Sequence, residues 1–237
     1  MEILSLKAFV LRRIRYGESS LITSLFSEER GKLSVIAKGA RSAKSKSGMA
    51  SILEPLNLIE AEVYFKPSRE IQIVSKADII ADFSVIKSNL DRMEATAKVI
   101  RTLDALTHAD EPNSKIWQIL ESTLREISSA PVENLTSAVL AFKARILSAL
   151  GYEPILSRCS ICDCGIDGRS YFAVESGGII CADCGPRGIP LEKGDVEILR
   201  VLFEDGVRFP GKLADEAKIA KIIRRHGEYH ADKKLDW

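Results

Sequence analysis

The sequence predicts an α+β protein of more than one domain, in which a small N-terminal β-barrel leads into a helical bundle that carries an inserted cysteine segment. Three observations predict it. Residues 3–78 alternate with a period of two between turn-forming runs, the period becomes helical from about Asp82, and four cysteines stand as two Cys-x2-Cys pairs between later helical stretches. At 237 residues the chain is long enough for two or three small domains.

The strand region comes first. Segments at Leu4–Arg13, Leu21–Phe26, Lys32–Lys38, Leu56–Phe65 and Glu70–Val74 are short and rich in Ile, Val, Leu and aromatic residues. Tyr16-Gly17-Glu18-Ser19, Glu28-Glu29-Arg30-Gly31 and Lys66-Pro67-Ser68 separate several of them as turns. Leu33, Val35 and Ala37 share one face of the third segment; Ile59, Ala61, Val63 and Phe65 share one face of the fourth. Five short strands suit a closed barrel of the OB type, and an SH3-like barrel fits the pattern nearly as well.

Helical stripes follow: Leu90, Met93, Ala97, Ile100 and Leu103; then Ile116, Leu120, Leu124 and Ile127; then Leu135, Val139, Phe142, Ile146 and Leu150. Asp110-Glu111-Pro112-Asn113 and Ala130-Pro131-Val132-Glu133 read as breaks with helix-start chemistry, and Gly151 as a stop. Leu191–Phe203 and Leu213–His226 are helical again and are expected to pack back on the same bundle. The expected domains are residues 1–80 (barrel), 81–155 (helical), 156–190 (cysteine segment) and 191–237 (helices completing the bundle).

Cys159-x2-Cys162 is followed after eighteen residues by Cys181-x2-Cys184, a spacing that points to zinc. Four thiolates fill a tetrahedral shell and leave no open position, so the expected role is structural, with one ion. Gly185 suits the turn after the second pair. Cys164 complicates the first pair, because it, and not Cys162, is the cysteine followed by glycine; a ligand set that uses Cys164 stays open. His226-x3-His230 offers a second metal grip from one helix face, against the plainer reading of two exposed histidines near a polar C-terminus.

Catalytic patterns are absent. Gly31-Lys32 lacks the upstream glycine and the following Ser/Thr of a phosphate-binding loop, and there is no G-x-S-x-G, H-E-x-x-H or dinucleotide fingerprint. His108 lies in a polar stretch, and Asp78, Asp82 and Asp91 read as solvated carboxylates. A non-enzymatic protein is expected. No apolar run approaches the length of a membrane span, and MEILSLKAFVLRR is too charged for a secretory signal, so a cytoplasmic chain without a membrane partner is expected.

Charge is distributed unevenly. The chain carries a formal +1, yet no acid lies between Glu29 and Glu54, where Arg30, Lys32, Lys38, Arg41, Lys44 and Lys46 gather. Without those six, 28 basic residues face 33 acidic ones. A solvated loop explains most such runs, but this one joins two strands of a barrel and continues the charge of Arg12, Arg13 and Arg15, with Phe9, Tyr16 and Phe26 nearby in sequence. Cations that track phosphates and rings that stack on bases are how such barrels hold single strands. These nine cations are the expected nucleic-acid contacts.

The stretch VLRRIRYGESSLITSLFSEERGKLSVIAKGARSAKSKSG resembles the N-terminal region of the RecO recombination mediators; LEPLNLIEAEVY and LSALGYEPILSRCSIC are similar to later parts of the same family. The resemblance implies an N-terminal OB-fold, a helical domain and, where the cysteines are kept, a zinc segment. It also implies binding of single- and double-stranded DNA, annealing of complementary strands, and cooperation with RecR in helping RecA replace single-strand-binding protein (SSB). The implied location is cytoplasmic and nucleoid-associated. The helical domain is the implied site for the acidic, hydrophobic-tipped C-terminal tail of SSB, with Arg92, Arg101, Lys115 and Arg125 as candidate cations. The extra Cys164 departs from the family's usual Cys-x2-Cys-Gly. An RNA-binding or ribosome-associated barrel-and-zinc protein is the alternative, and a metal-dependent nuclease a third reading.

Overall fold

Five strands, β1 (Glu2–Tyr16), β2 (Ser20–Ser27), β3 (Gly31–Ala37), β4 (Leu58–Phe65) and β5 (Ile71–Ala81), close into a barrel in the order β1-β2-β3-β5-β4. The computed structural model describes residues 2–42, 48–204, 211 and 213–232. All strand pairs are antiparallel except the β3–β5 seam, which joins Ser34 to Ile71, Val35 to Gln72 and Ile36 to Ile73 in parallel. A short helix, α1 (Met49–Ile52), stands between β3 and β4. This closed five-stranded arrangement is that of the OB-fold and decides between the two barrels that strand pattern leaves open.

Alternation fills the barrel. Leu6, Ala8 and Val10 from β1, Leu33, Val35 and Ala37 from β3, and Ile59, Ala61 and Val63 from β4 meet in one core, with Leu53 after α1 fully buried in it. Small residues beside large ones let the narrow interior fill without voids. The expected faces of β3 and β4 are therefore the buried ones.

The chain divides into two units: Met1–Ser88 with Thr107–Gln118, and Asn89–Leu106 with Ile119–Trp237. Trp117 explains why a segment so far along the chain belongs with the barrel. Phe9 and Phe26 are register partners on one face, and the Trp117 ring lies 4.9 Å from the first and 6.4 Å from the second. The Asp110 amide donates to the Lys32 carbonyl at 3.0 Å. Gly31, at φ +64°, permits this approach: a Cβ there would sit 2.2 Å from the Glu111 carbonyl oxygen. The barrel chain leaves through a single turn of helix, α2 (Ser84–Lys87).

The second unit holds α3 (Leu90–Leu106), the greater part of α4 (Ser114–Ser129), α5 (Leu135–Ala149), α6 (Lys193–Phe203) and α7 (Glu216–His230). Asparagine starts α3 and α4 as side-chain caps: Asn89 Oδ1 accepts from the Arg92 amide, and Asn113 Oδ1 from that of Ile116, both at 3.0 Å. Asp215 does the same for α7. Ile116, Leu120, Leu124 and Ile127 form the buried stripe expected of α4. In α3 the expected stripe is only partly right. Leu90 is 79% exposed and Met93 46%, while Ala95, Thr96, Val99, Thr102, Leu103 and Leu106 are buried. A pattern of apolar residues overlooks threonine, whose hydroxyl can bond back to its own helix, as Thr102 does to the Lys98 carbonyl at 2.9 Å.

α5 is buried on almost every side, with α3, α6 and α7 around it. Between α5 and α6 lies a small sheet of β6 (Ser170–Ala173), β7 (Gly178–Cys181) and β8 (Ile189–Leu191), ordered β7-β6-β8. Among the described residues, no helix is long and apolar enough to cross a membrane.

Candidate nucleic-acid interface and metal centre

The structure divides the basic run. β3 separates Arg30 and Lys32 from Lys38 and Arg41, and seven extended residues span roughly 20 Å. Arg30, in the β2–β3 turn, lies over the Phe65 ring at 4.3 Å and pairs with Asp110 at 3.3 Å. Lys32 is half-buried and bridges to Ala109 through the backbone. Lys44 and Lys46 lie outside the described residues.

At the other end of the barrel, a cleft of about 300 Å³ is lined by Arg13, Arg15, Leu21, Arg41, Ala50 and Glu54. Its three arginines differ in role. Arg13 faces inward beside Thr23, pairs with Glu54 and donates to the Ala50 carbonyl, which ties β1 to α1. Arg41 clamps the β1–β2 turn by donating to the Gly17 and Glu18 carbonyls at 2.8 and 2.9 Å. Arg15 is exposed, as are Arg12 on the outer face of β1 and Lys38 just beyond β3; none of the three makes an ion pair among the described residues. Tyr16, 57% exposed, closes β1 beside them, whereas Phe9 and Phe26 are core. Three solvated cations and one ring are thus exposed around this part of the barrel, Arg15 on the cleft side of β1 and Arg12 and Tyr16 on its other face, with Arg13 and Arg41 holding the framework.

In the second unit, the sulfurs of Cys159, Cys162, Cys181 and Cys184 all lie within 4.8 Å of one another. Cys162 and Cys181 are 3.7 Å apart, Cys159 and Cys184 3.8 Å. A tetrahedron with zinc–sulfur bonds of about 2.3 Å has edges of roughly 3.8 Å, so this donor set fits a zinc ion. The Cys181 amide donates to Cys159 Sγ at 3.4 Å, and backbone N–H groups of Cys162 and Cys181 hold the Cys159 thiol down to about 6. Gly185, at φ +97°, turns the chain after the second pair as expected. Cys159, Ala173, Ile180 and Cys181 form only a small apolar cluster, a core too slight to hold a segment of this size by itself.

The histidine pair resolves differently from either sequence reading. His226 is 1% exposed, lies edge-on to Phe172 and Phe203, and donates Nε2–H to the Tyr152 carbonyl at 2.8 Å. His230 bonds the Val174 carbonyl at 3.2 Å. Both rings are spent on backbone carbonyls, and the four-thiol group is the metal-compatible cluster among the described residues. His226 continues the Ile219, Ile222, Ile223 stripe of α7, the signal that marks it as a core position.

A second pocket, of about 380 Å³, lies within the helical unit, where Lys98, Val132, Leu135, Val139, Leu140 and Lys143 contribute to its walls, with Asp91 and Glu94 also lining it. Burial pushes the Lys143 ammonium down to about 8, and the charges of Lys98, Arg101 and Arg224 add to the shift. Sequence reading passes over Lys143, although Lys143 and Arg145 are the only charged residues of α5. Of the cations singled out for this unit, Arg92 donates to the Ile127 and Ala130 carbonyls and so caps α4, and Arg125 pairs with Glu121 at 2.8 Å. Arg101 is exposed, and Lys115 belongs to the barrel unit.

An OB barrel that carries solvated cations, followed by a helical unit with a cluster of four cysteine sulfurs, defines a class of two-unit proteins. Comparison with known proteins makes the class specific. Residues 1–83 match the family described as Recombination protein O N terminal, and residues 87–236 match Recombination protein O C terminal. The chain is 31% identical over 243 residues to the DNA repair protein RecO of Desulforamulus reducens, covering 99% of this chain and 92% of that one. It is 28% identical to the RecO of Pelotomaculum thermopropionicum, with the same coverage, and 32% identical over 182 residues to that of Salinibacter ruber, covering 76% and 68%. The chain belongs to the RecO family of DNA repair and recombination proteins.

Proposed function

We propose that this protein is a non-enzymatic recombination mediator that binds single- and double-stranded DNA, anneals complementary strands and, with RecR, helps load RecA onto SSB-coated DNA in the bacterial cytoplasm, at the nucleoid. The observation that carries the reading is the group of solvated cations, Arg12, Arg15 and Lys38, beside exposed Tyr16 on an OB barrel, in a chain that matches the family along nearly its full length. Lys44 and Lys46 extend that group along the sequence. Two phosphate backbones repel each other, and a surface that neutralises both lowers the barrier to their encounter. Base pairing then supplies sequence choice, so the protein needs no base-reading groove. Arg13, Arg30 and Arg41, with internal partners, hold the barrel and its loops in shape for that contact.

The helical pocket supports a site for the SSB tail. Its apolar wall of Val132, Leu135, Val139 and Leu140 suits a hydrophobic tip, and Lys98, Lys143 and nearby Arg101 and Arg224 suit acidic residues. Glu94 is already paired with Lys98 at 2.9 Å, which tempers its repulsion. One zinc ion held by Cys159, Cys162, Cys181 and Cys184 would cross-link the segment around the small sheet, supplying structural stability and no chemistry on DNA.

The decisive experiment is annealing of complementary oligonucleotides precoated with SSB, with and without RecR, in Mg²⁺ buffer. Faster annealing with strands left intact supports the mediator reading. Cleaved strands, or preference for RNA over DNA of the same sequence, would replace it with the nuclease or RNA-binding reading.

A further inference from the structure

A fifth thiol adjoins the four-cysteine centre. Cys164 Sγ lies 3.4 Å from Cys162 Sγ, and its side chain also interacts with that of Cys181. It therefore lies against one edge of the sulfur tetrahedron.

The backbone holds it there. Asp163 takes φ +64°, reversing the chain between the two cysteines, and its carboxylate is pinned by Arg158 at 2.8 Å. The Cys159 amide donates to the Cys164 carbonyl at 2.9 Å, and the Asp163 amide to the Cys159 carbonyl at 3.0 Å, so the loop 159–164 closes on itself. Cys159 and Cys181 are buried, whereas Cys162 and Cys164 are both exposed. One side of the centre is thus fixed in the core, and the opposite side presents two neighbouring thiols to solvent.

Building on the reading of this cluster as a zinc centre, we infer that Cys162 and Cys164 share one coordination position, while Cys159, Cys181 and Cys184 hold the other three. Exchange balances without a redox partner. Either sulfur would hold the position as its thiolate, with the one proton of the pair moving from the Cys164 thiol to the Cys162 thiolate, so the total charge and the metal would be unchanged. A spare ligand on the exposed edge keeps the ion bound when one of the two thiols is blocked or oxidised.

The test uses the full chain and its Cys162→Ser, Cys164→Ser and Cys162→Ser/Cys164→Ser variants. Native mass spectrometry counts zinc, a chromophoric chelator reports its release, and cobalt substitution reports the number of thiolates through sulfur-to-cobalt charge transfer. Each single variant is expected to keep one zinc per chain and a four-thiolate cobalt spectrum. The double variant is expected to lose zinc to the chelator at least tenfold faster and to show three thiolates. If Cys162→Ser alone behaves like the double variant, the sharing is wrong while the metal centre stands. A parent chain that holds no zinc would overturn both. Because both side chains are exposed, neither substitution opens a cavity.

Discussion

His226 donates its Nε2–H to the Tyr152 carbonyl, and this leaves Nδ1 buried with no hydrogen-bond partner. The ring is therefore held neutral, and burial lowers its pKa from an ordinary 6.5 to about 4, with His230 opposing the charge further. Between those values the unfolded chain binds the proton and the folded chain does not. Stability is thus complete above pH 6.5 and declines as pH falls toward 4, by about 3 kcal/mol from this group. Urea unfolding at pH 7 and pH 5 measures it, and His226→Gln, which can still donate to Tyr152, should flatten the profile.

Gly31 admits the Glu111 backbone, so Gly31→Ala meets both a left-handed φ and a clash. A loss of about 2–3 kcal/mol is expected. In a Trp237→Phe background, the emission of Trp117 should shift to the red as the 107–118 segment lifts from Phe9 and Phe26. Unchanged emission and midpoint would place the segment's anchor elsewhere.

Arg15 and Lys38 are predicted to touch phosphates, Arg13 to hold the barrel. Arg15→Ala/Lys38→Ala should weaken binding to single strands of every sequence alike and reduce the log–log salt slope by roughly 1.4. Arg13→Ala should instead lower stability by about 1 kcal/mol, since its pair with Glu54 is partly solvated. Fluorescence anisotropy across a salt series, beside thermal melts, separates the two roles.

Lys143→Met should reduce affinity for a labelled SSB-tail peptide about tenfold, because the charge that faces the acidic residues is removed. In the parent protein the same affinity should fall as pH rises through about 8, where Lys143 loses its charge. An affinity flat across that range would remove Lys143 from the site.

Much of the barrel is legible in the sequence because a strand's two faces alternate strictly: Leu33, Val35 and Ala37 turn inward wherever the strand is placed. The thiolate centre is legible for a similar reason, since a two-residue gap is a local property. The cationic surface is less so. Arg30 and Lys38 are near in sequence, but the strand between them carries them to opposite ends of the barrel, and the partners that occupy Arg30 and Arg13, Asp110 and Glu54, come from distant positions. Lys143 is invisible for the opposite reason. An isolated lysine in an apolar helix looks like a surface residue until its neighbours from other helices are in place.

The seam that closes the barrel is short: β3 meets β5 along three residues, and β5 from Val74 to Ala81 has a strand partner only in β4. An incoming polypeptide that docks as an added strand would find its place along that overhanging part of β5. Where a strand is paired on both sides, a partner that recognises the barrel can read only its loops or its side-chain surface.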